Sequence, residues 1–232
     1  MSTPLTDSIN ALTAYANETT GASDTTLSDA VGRLCEGYGG GNIANELAKG
    51  TDLLYGEDIV LNSDIETINS YAFFCKFIAN VSGDGVKIIK PWAFAVPNGT
   101  STPVTFHPDF PNLEKAEAYA FGYRNFGNKA VVCNAITVGS SLCEGGKNLP
   151  SIKYTRADKI YGDQVYNISS ITQIIINSTP SYIDGNAFRK ASNLTDIYVP
   201  WTEGEVARAP WGATNATIHY NTVFDENGDP IV

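Results

Sequence analysis

Apolar positions along this chain recur in a long frame, not in one sustained helical or strand period. The clearest copy is Ser181 to Pro200, S-Y-I-D-G-N-A-F-R-K-A-S-N-L-T-D-I-Y-V-P. Ile183 and Ala187 are four apart and Phe188 follows at once. Leu194, Ile197 and Val199 then alternate as a short strand does, and Pro200 closes it. Such a segment cannot bury its own apolar side chains. It needs a copy above and a copy below, so segments of this kind come in arrays.

Anchoring on Phe188 gives earlier matches at Phe73, Phe94, Phe121, Cys143 and Tyr166, at gaps of 21, 27, 22, 23 and 22 residues. Each anchor follows a pair spaced by four: Ile68/Ala72, Ile89/Ala93, Ala116/Ala120, Val138/Leu142, Tyr161/Val165 and Ile183/Ala187. The second half of each copy reads as a short strand. Leu149-x-x-Ile152-x-Tyr154 and Ile171-x-x-Ile174-x-Ile176 parallel Leu194-x-x-Ile197-x-Val199. Val104-Thr105-Phe106 and Val131-Val132-Cys133 read as the displaced strands of the third and fourth turns.

Successive strand side chains point to opposite faces. With Ile197 and Val199 inward, the outward surface of the strands comprises Thr105, Val132, Ser151, Lys153, Gln173, Ile175, Asp196 and Tyr198. Val132, Ile175 and Tyr198 are apolar or aromatic there. An exposed apolar row on a sheet marks a contact surface, unless another element covers it. These eight residues are the candidate ligand-binding set.

The pattern I-x-x-x-A-F-x-x-x-x-N-L-T-x-I-x-V-P resembles the BspA-like leucine-rich repeats of bacterial surface proteins. It is clearest over 181–200 and in I-E-T-I-N-S-Y-A-F-F-C from Ile65 to Cys75. The resemblance implies a β-rich, right-handed solenoid of about six degenerate turns, with irregular or short-helical returns, used for adhesion and ligand binding without catalytic residues. The long insertions after Phe94 and Phe121 depart from the family pattern.

The remaining chain divides around this array. Residues 6–17 and 24–36 read as two short amphipathic helices; Thr6 or Asp7 caps the first, and Gly37 ends the second. Residues 1–41 are thus a helical attachment segment, 42–56 a linker and N-terminal cap, 57–200 the solenoid, and 201–232 a C-terminal cap with a hairpin. The stretch from Leu5 to Gly41 also resembles N-terminal segments of tail-associated structural proteins from phages and prophages of Gram-positive bacteria. That resemblance implies docking to phage tail or particle proteins and a virion location; a bacterial cell-surface or secreted location is the alternative. The opening M-S-T-P-L-T-D-S-I-N lacks the basic and apolar regions of an export signal, in keeping with the first.

Within 201–232, Pro210-Trp211-Gly212-Ala213 reads as a turn that lowers Trp211 onto the last coil as a lid. Thr217-Ile218-His219-Tyr220 reads as a closing strand. Asp225-Glu226-Asn227-Gly228-Asp229 has the opening spacing of a calcium loop but no closing acidic ligand. Asn227-Gly228 reads instead as a hairpin turn.

Composition narrows the function. A net charge of −10 and pI near 4.6 disfavour nucleic acid and anionic membranes as partners. The 43 % hydrophobic content supplies a core, yet no run is long enough to insert in a membrane. Cys35, Cys75, Cys133 and Cys143 form no CxxC pair and read as small apolar thiols; His107 and His219 suggest no metal or nucleophilic site. No cofactor is expected. The partners expected are a host-surface protein or glycan and particle proteins, with a homo-oligomer contact through the apolar strand face as the structural alternative.

Overall fold

A computed structural model describes residues 56, 58–100 and 104–231. The helices expected at 6–17 and 24–36, and nearly all of the 42–56 linker, lie outside the described residues. The described residues form a solenoid of parallel strands, and no helix occurs among them.

The first six coils each contribute one strand to each of two faces, and the last two strands lie on the long face only. On the short face, β2 (Thr67–Ile68), β4 (Ile88–Ile89), β6 (Lys115–Ala116), β8 (Thr137–Val138), β10 (Lys159–Ile160) and β12 (Tyr182–Ile183) form one six-stranded sheet. The long face carries β1 (Ile59–Val60), β3 (Asn80–Ser82) and β5 (His107–Asp109) in one sheet. It continues as a second sheet through β7 (Val131–Cys133), β9 (Ser151–Tyr154), β11 (Gln173–Ile176), β13 (Asp196–Tyr198) and β14 (Thr217–His219). The second residues of the short-face strands stack as a buried column, Ile68, Ile89, Ala116, Val138, Ile160 and Ile183.

Between the faces, the A-F segments form stacked turns instead of helices. Phe73 N–H donates to Ala93 O at 2.7 Å, Phe94 to Ala120 O at 3.0 Å and Phe121 to Leu142 O at 2.9 Å. The residue two before each of these anchors is left-handed: Tyr71 (φ 61°), Trp92 (φ 61°) and Tyr119 (φ 57°). This conformation is unfavourable for bulky residues. Ladder bonds and ring stacking hold it: Trp92 and Tyr119 lie 4.2 Å apart and nearly parallel.

The fifth copy corrects the sequence frame by one residue. Ile160, not Tyr161, pairs with Val138 and Ile183. Gln164 therefore occupies the alanine position and Val165 the anchor position, and both are fully buried. A core glutamine must be satisfied. Its Nε2 donates to Gly139 O at 2.7 Å and Tyr161 O at 2.8 Å, while Tyr154 Oη lies 3.4 Å from its Oε1. Tyr166 is only half-buried, and Tyr161 points to solvent.

The third coil differs too. The strand expected at 104–106 forms at His107–Asp109, because Phe106 turns inward. Phe106 joins Phe94, Phe110, Phe121 and Phe126 in an aromatic cluster that fills the wider coil left by the insertions. Buried Arg124 lies over Phe106 at 4.7 Å. It donates from Nε to Phe94 O and from Nη1 to Lys76 O at 2.5 Å, tying three coils together. Burial presses its pKa below the usual arginine value, but the carbonyl cage keeps the guanidinium a useful charged donor.

The long face splits between β5 and β7. His107 N–H donates to Ala79 O on the β3 side, so the next N–H would face β7. That residue is Pro108, which has none. Side chains bridge the seam instead: Asn134 Nδ2 to Phe110 O at 3.2 Å and Arg156 Nη2 to Leu113 O at 2.8 Å.

At the far end, Trp211 is fully buried and meets Phe188 and Trp201 edge to face. Its indole N–H donates to Ala207 O at 2.8 Å. The expected lid and the closing strand β14 are both present, although residues 203–212 form consecutive turns and not a helical turn. Cys75, Cys133 and Cys143 are free thiols, each held above the usual thiol pKa mainly by burial, which disfavours the reactive thiolate.

Candidate recognition surface

The register aligns the strand residues opposite the core positions into two rows. Val132, Lys153, Ile175, Tyr198 and His219 form one row, and Ser151, Gln173, Asp196 and Thr217 form the parallel row. Outward direction does not mean exposure. Val132 is 43 % exposed, but Ile175 is only 2 % exposed, and Lys153 and Tyr198 are also buried. Ser151, Gln173 and Asp196 are half-buried. Thr105 is exposed but lies before β5, off the strand row, beside Gly127.

The covering element is the C-terminal hairpin. Phe224 and Pro230 pair antiparallel around a turn at 225–228. Asp225 builds that turn: its carboxylate accepts from Asn227 N–H at 2.9 Å and Asp229 N–H at 2.8 Å. These bonds, the Asp229 amide first, hold the Asp225 carboxyl below its usual pKa. The acidic run is thus a turn, with its first carboxylate engaged by its own backbone. Phe224, Gly228 and Pro230 are half-buried, whereas Val223 and Ile231 project away and are exposed.

The hairpin is fastened at two points. Lys153 Nζ donates to Asn227 O at 2.8 Å and pairs with Asp229 at 2.6 Å. Asn177 Nδ2 donates to Gly228 O at 3.1 Å. Gly228 has φ 72°, and a Cβ there would run into the Asn177 amide. A glycine is needed for both conformation and approach. At the end of the row, His219 stacks on Tyr198 at 4.4 Å and sits 2.7 Å from the Asp196 carboxylate. The hydrogen bond from His219 is the main cause of the lowered Asp196 pKa.

The expected single apolar row is therefore two regions. Lys153, Ile175 and Tyr198 are satisfied within the chain. Val132 and the polar row Ser151, Gln173 and Asp196 remain accessible in part. Sequence reading missed a second outward group on the short face, Tyr161, Tyr182 and Arg208. Tyr161 was hidden by the one-residue slip in the fifth copy, and Arg208 lies in the cap, beyond the repeats. The signal available was the aromatic pair at Tyr161 and Tyr182 beside charged positions.

No group of three or more metal-binding side chains occurs among the described residues, and no helix among them is long and apolar enough to cross a membrane. Stacked coils with polar outward faces make a rigid display scaffold. The family model described as BspA type leucine rich repeat region (6 copies) matches residues 55–125 and 114–207, so the chain belongs to that family. The fold is also similar to the crystal structure of the pneumococcal vaccine antigen PcpA, at a TM-score of 0.53 and 17 % identity. The match covers 73 % of this chain and 42 % of that one, so this chain corresponds to less than half of the antigen's length. None of the curated proteins matches the sequence.

Proposed function

We propose that this protein is a non-enzymatic binding protein of a phage or prophage tail, whose solenoid presents a recognition surface to a ligand on the host cell. The observation that carries the binding role is the array of parallel coils with partly open outward rows, in a chain of the BspA type leucine-rich repeat family. The resemblance of residues 5–41 to phage tail-associated segments supports the attachment role. In this reading, residues 5–41 dock to the particle, and the strand face offers Val132, Ser151, Gln173 and Asp196 beside the hairpin. The buried Lys153, Ile175 and Tyr198 shape that face from beneath, and Thr105 flanks it on the insertion side.

The test is fractionation. Particles released after induction of the source bacterium are banded on a density gradient, and peptides of this chain are sought by mass spectrometry. Co-migration with particles is expected. Recovery only in the cell-wall fraction would replace the tail role with that of a cell-surface adhesin. A purely structural particle component would co-migrate with particles but leave host cells unbound.

A further inference from the structure

A second outward group of side chains lies on the short face, around β10 and β12. β10 and β12 pair Lys159 with Tyr182 and Ile160 with Ile183, which places Tyr161 beside Asp184 and Gly162 beside Gly185. The Tyr161 and Tyr182 rings lie 5.6 Å apart and are tilted by 49°, so their faces are not closed against each other. Tyr161 is 40 % exposed. The Arg208 guanidinium lies 4.9 Å over the Tyr182 ring. A guanidinium over a ring face is attracted by the ring's π electrons and still carries its planar set of five N–H donors.

Two features point to a ligand. First, Gly162 and Gly185 stand side by side without a left-handed φ. A Cβ at Gly185 would meet nothing nearer than Arg208 Cδ at 4.0 Å, and one at Gly162 would meet the Asp184 carboxylate at 3.5 Å. Neither backbone geometry nor packing demands glycine, and the pair leaves a floor of bare backbone beside Tyr161, under the Arg208 stem. Second, Lys159 and Arg208 flank Tyr182 without forming an ion pair among the described residues, although the chain carries a net charge of −10. The nearby carboxylates are already engaged. Asp163 is held by Arg189 through both oxygens, at 2.5 and 3.0 Å, and Asp184 accepts from Tyr182 Oη at 3.0 Å and Asn186 N–H at 2.8 Å.

We infer that Tyr161, Gly162, Tyr182, Gly185 and Arg208 form a binding site for a carboxylate-bearing oligosaccharide. The exposed Tyr161 ring receives the C–H face of a sugar ring. The planar Arg208 fork takes a uronate carboxylate through two parallel hydrogen bonds, a geometry that Lys159 supports by charge alone. The glycine floor lets the chain lie close to the backbone. This site deepens the binding role proposed above and is independent of particle attachment.

The test titrates the full chain with a hyaluronan hexasaccharide, with maltohexaose as the neutral counterpart. Saturable binding of the hexasaccharide is expected, with maltohexaose weaker by about tenfold, as loss of a charged hydrogen-bonding partner predicts. Arg208→Ala is expected to weaken hexasaccharide binding by about tenfold, and Arg208→Lys by less, because charge remains while the fork is lost. Gly185→Ala, for which the structure has room, is expected to keep the melting temperature and still weaken binding. No saturable binding, equal binding of the neutral chain, or unchanged affinity in Arg208→Ala with native circular dichroism would each overturn the site. Those results would leave the particle fractionation unaffected, so failure here and failure of the tail role are separable.

Discussion

The two halves of the long strand face use the same register and end differently. Over β1, β3 and β5 the outward positions are Val60, Ser82 and Asp109, and Val60 is 82 % exposed. Over β9 to β14 the equivalent positions are Lys153, Ile175, Tyr198 and His219: the first three are buried, with the hairpin fastened at Lys153 and His219 stacked on Tyr198. Val132 lies at the boundary. The difference arises in the tail, not in the repeat: residues 223–231 fold back onto Lys153 and Asn177, and β14 brings His219 onto Tyr198. An apolar row on a repeat sheet has to be weighed against the chain's own appendages before it is assigned to a partner.

The halves are also held by different means. The insertion-bearing coils rely on the phenylalanine cluster and on Arg124, whereas the later coils are regular and closed by Trp211 and the hairpin. Trp211→Ala should have the largest effect, about 3–5 kcal/mol of lost stability, because a fully buried indole leaves a cavity over the last coil. Chemical denaturation would measure it. Arg124→Ala should cost about 2–4 kcal/mol by orphaning the Phe94 and Lys76 carbonyls. If the two halves are energetically distinct, hydrogen exchange in that variant should rise first around the insertions, not around β11 and β13.

Smaller changes sharpen the role of the hairpin. Asp229→Ala should cost about 1–2 kcal/mol: Lys153 is buried, but Asp229 is more than half exposed and the pair is partly screened. Gly228→Ala should cost about 1 kcal/mol or more, through φ 72° and the encounter with Asn177. Acid should act in the same direction. The Asp225 carboxyl has a lowered pKa when folded, so its contribution is present above its unfolded pKa and lost as the pH falls through the folded value. Hydrogen exchange at the Asn227 and Asp229 amides, corrected for its intrinsic pH dependence, should therefore rise as the pH falls through the folded Asp225 value, while the β11 core stays protected. Val132→Ser should change stability by under about 0.5 kcal/mol, since that side chain faces solvent.

Much of the fold was legible because a solenoid repeats its own evidence. Ile183, Ala187, Phe188, Ile197 and Val199 each have counterparts one coil away, so one clear copy locates weaker ones. The fifth copy failed for a physical reason. Its core position holds Gln164, whose amide is satisfied by the Gly139 and Tyr161 carbonyls, and a polar residue there sends a hydrophobicity reading to the next apolar neighbour. Phe106 misled similarly, as a strand-like residue recruited to plug an irregular coil. The candidate site was half legible. Alternation identified the outward row, but its cover depends on Lys153 meeting Asn227, 74 residues onward, which no local pattern encodes.

The most direct test of the covered face is competitive amine labelling read by mass spectrometry. Lys153 is compared with exposed Lys159 in the full chain and in a chain ending at Thr222. The structure predicts that Lys153 labels far more slowly than Lys159 in the full chain and that truncation removes most of the difference. Equal labelling of the two lysines in the intact protein would contradict the account, and would return Lys153, Ile175 and Tyr198 to the open recognition surface.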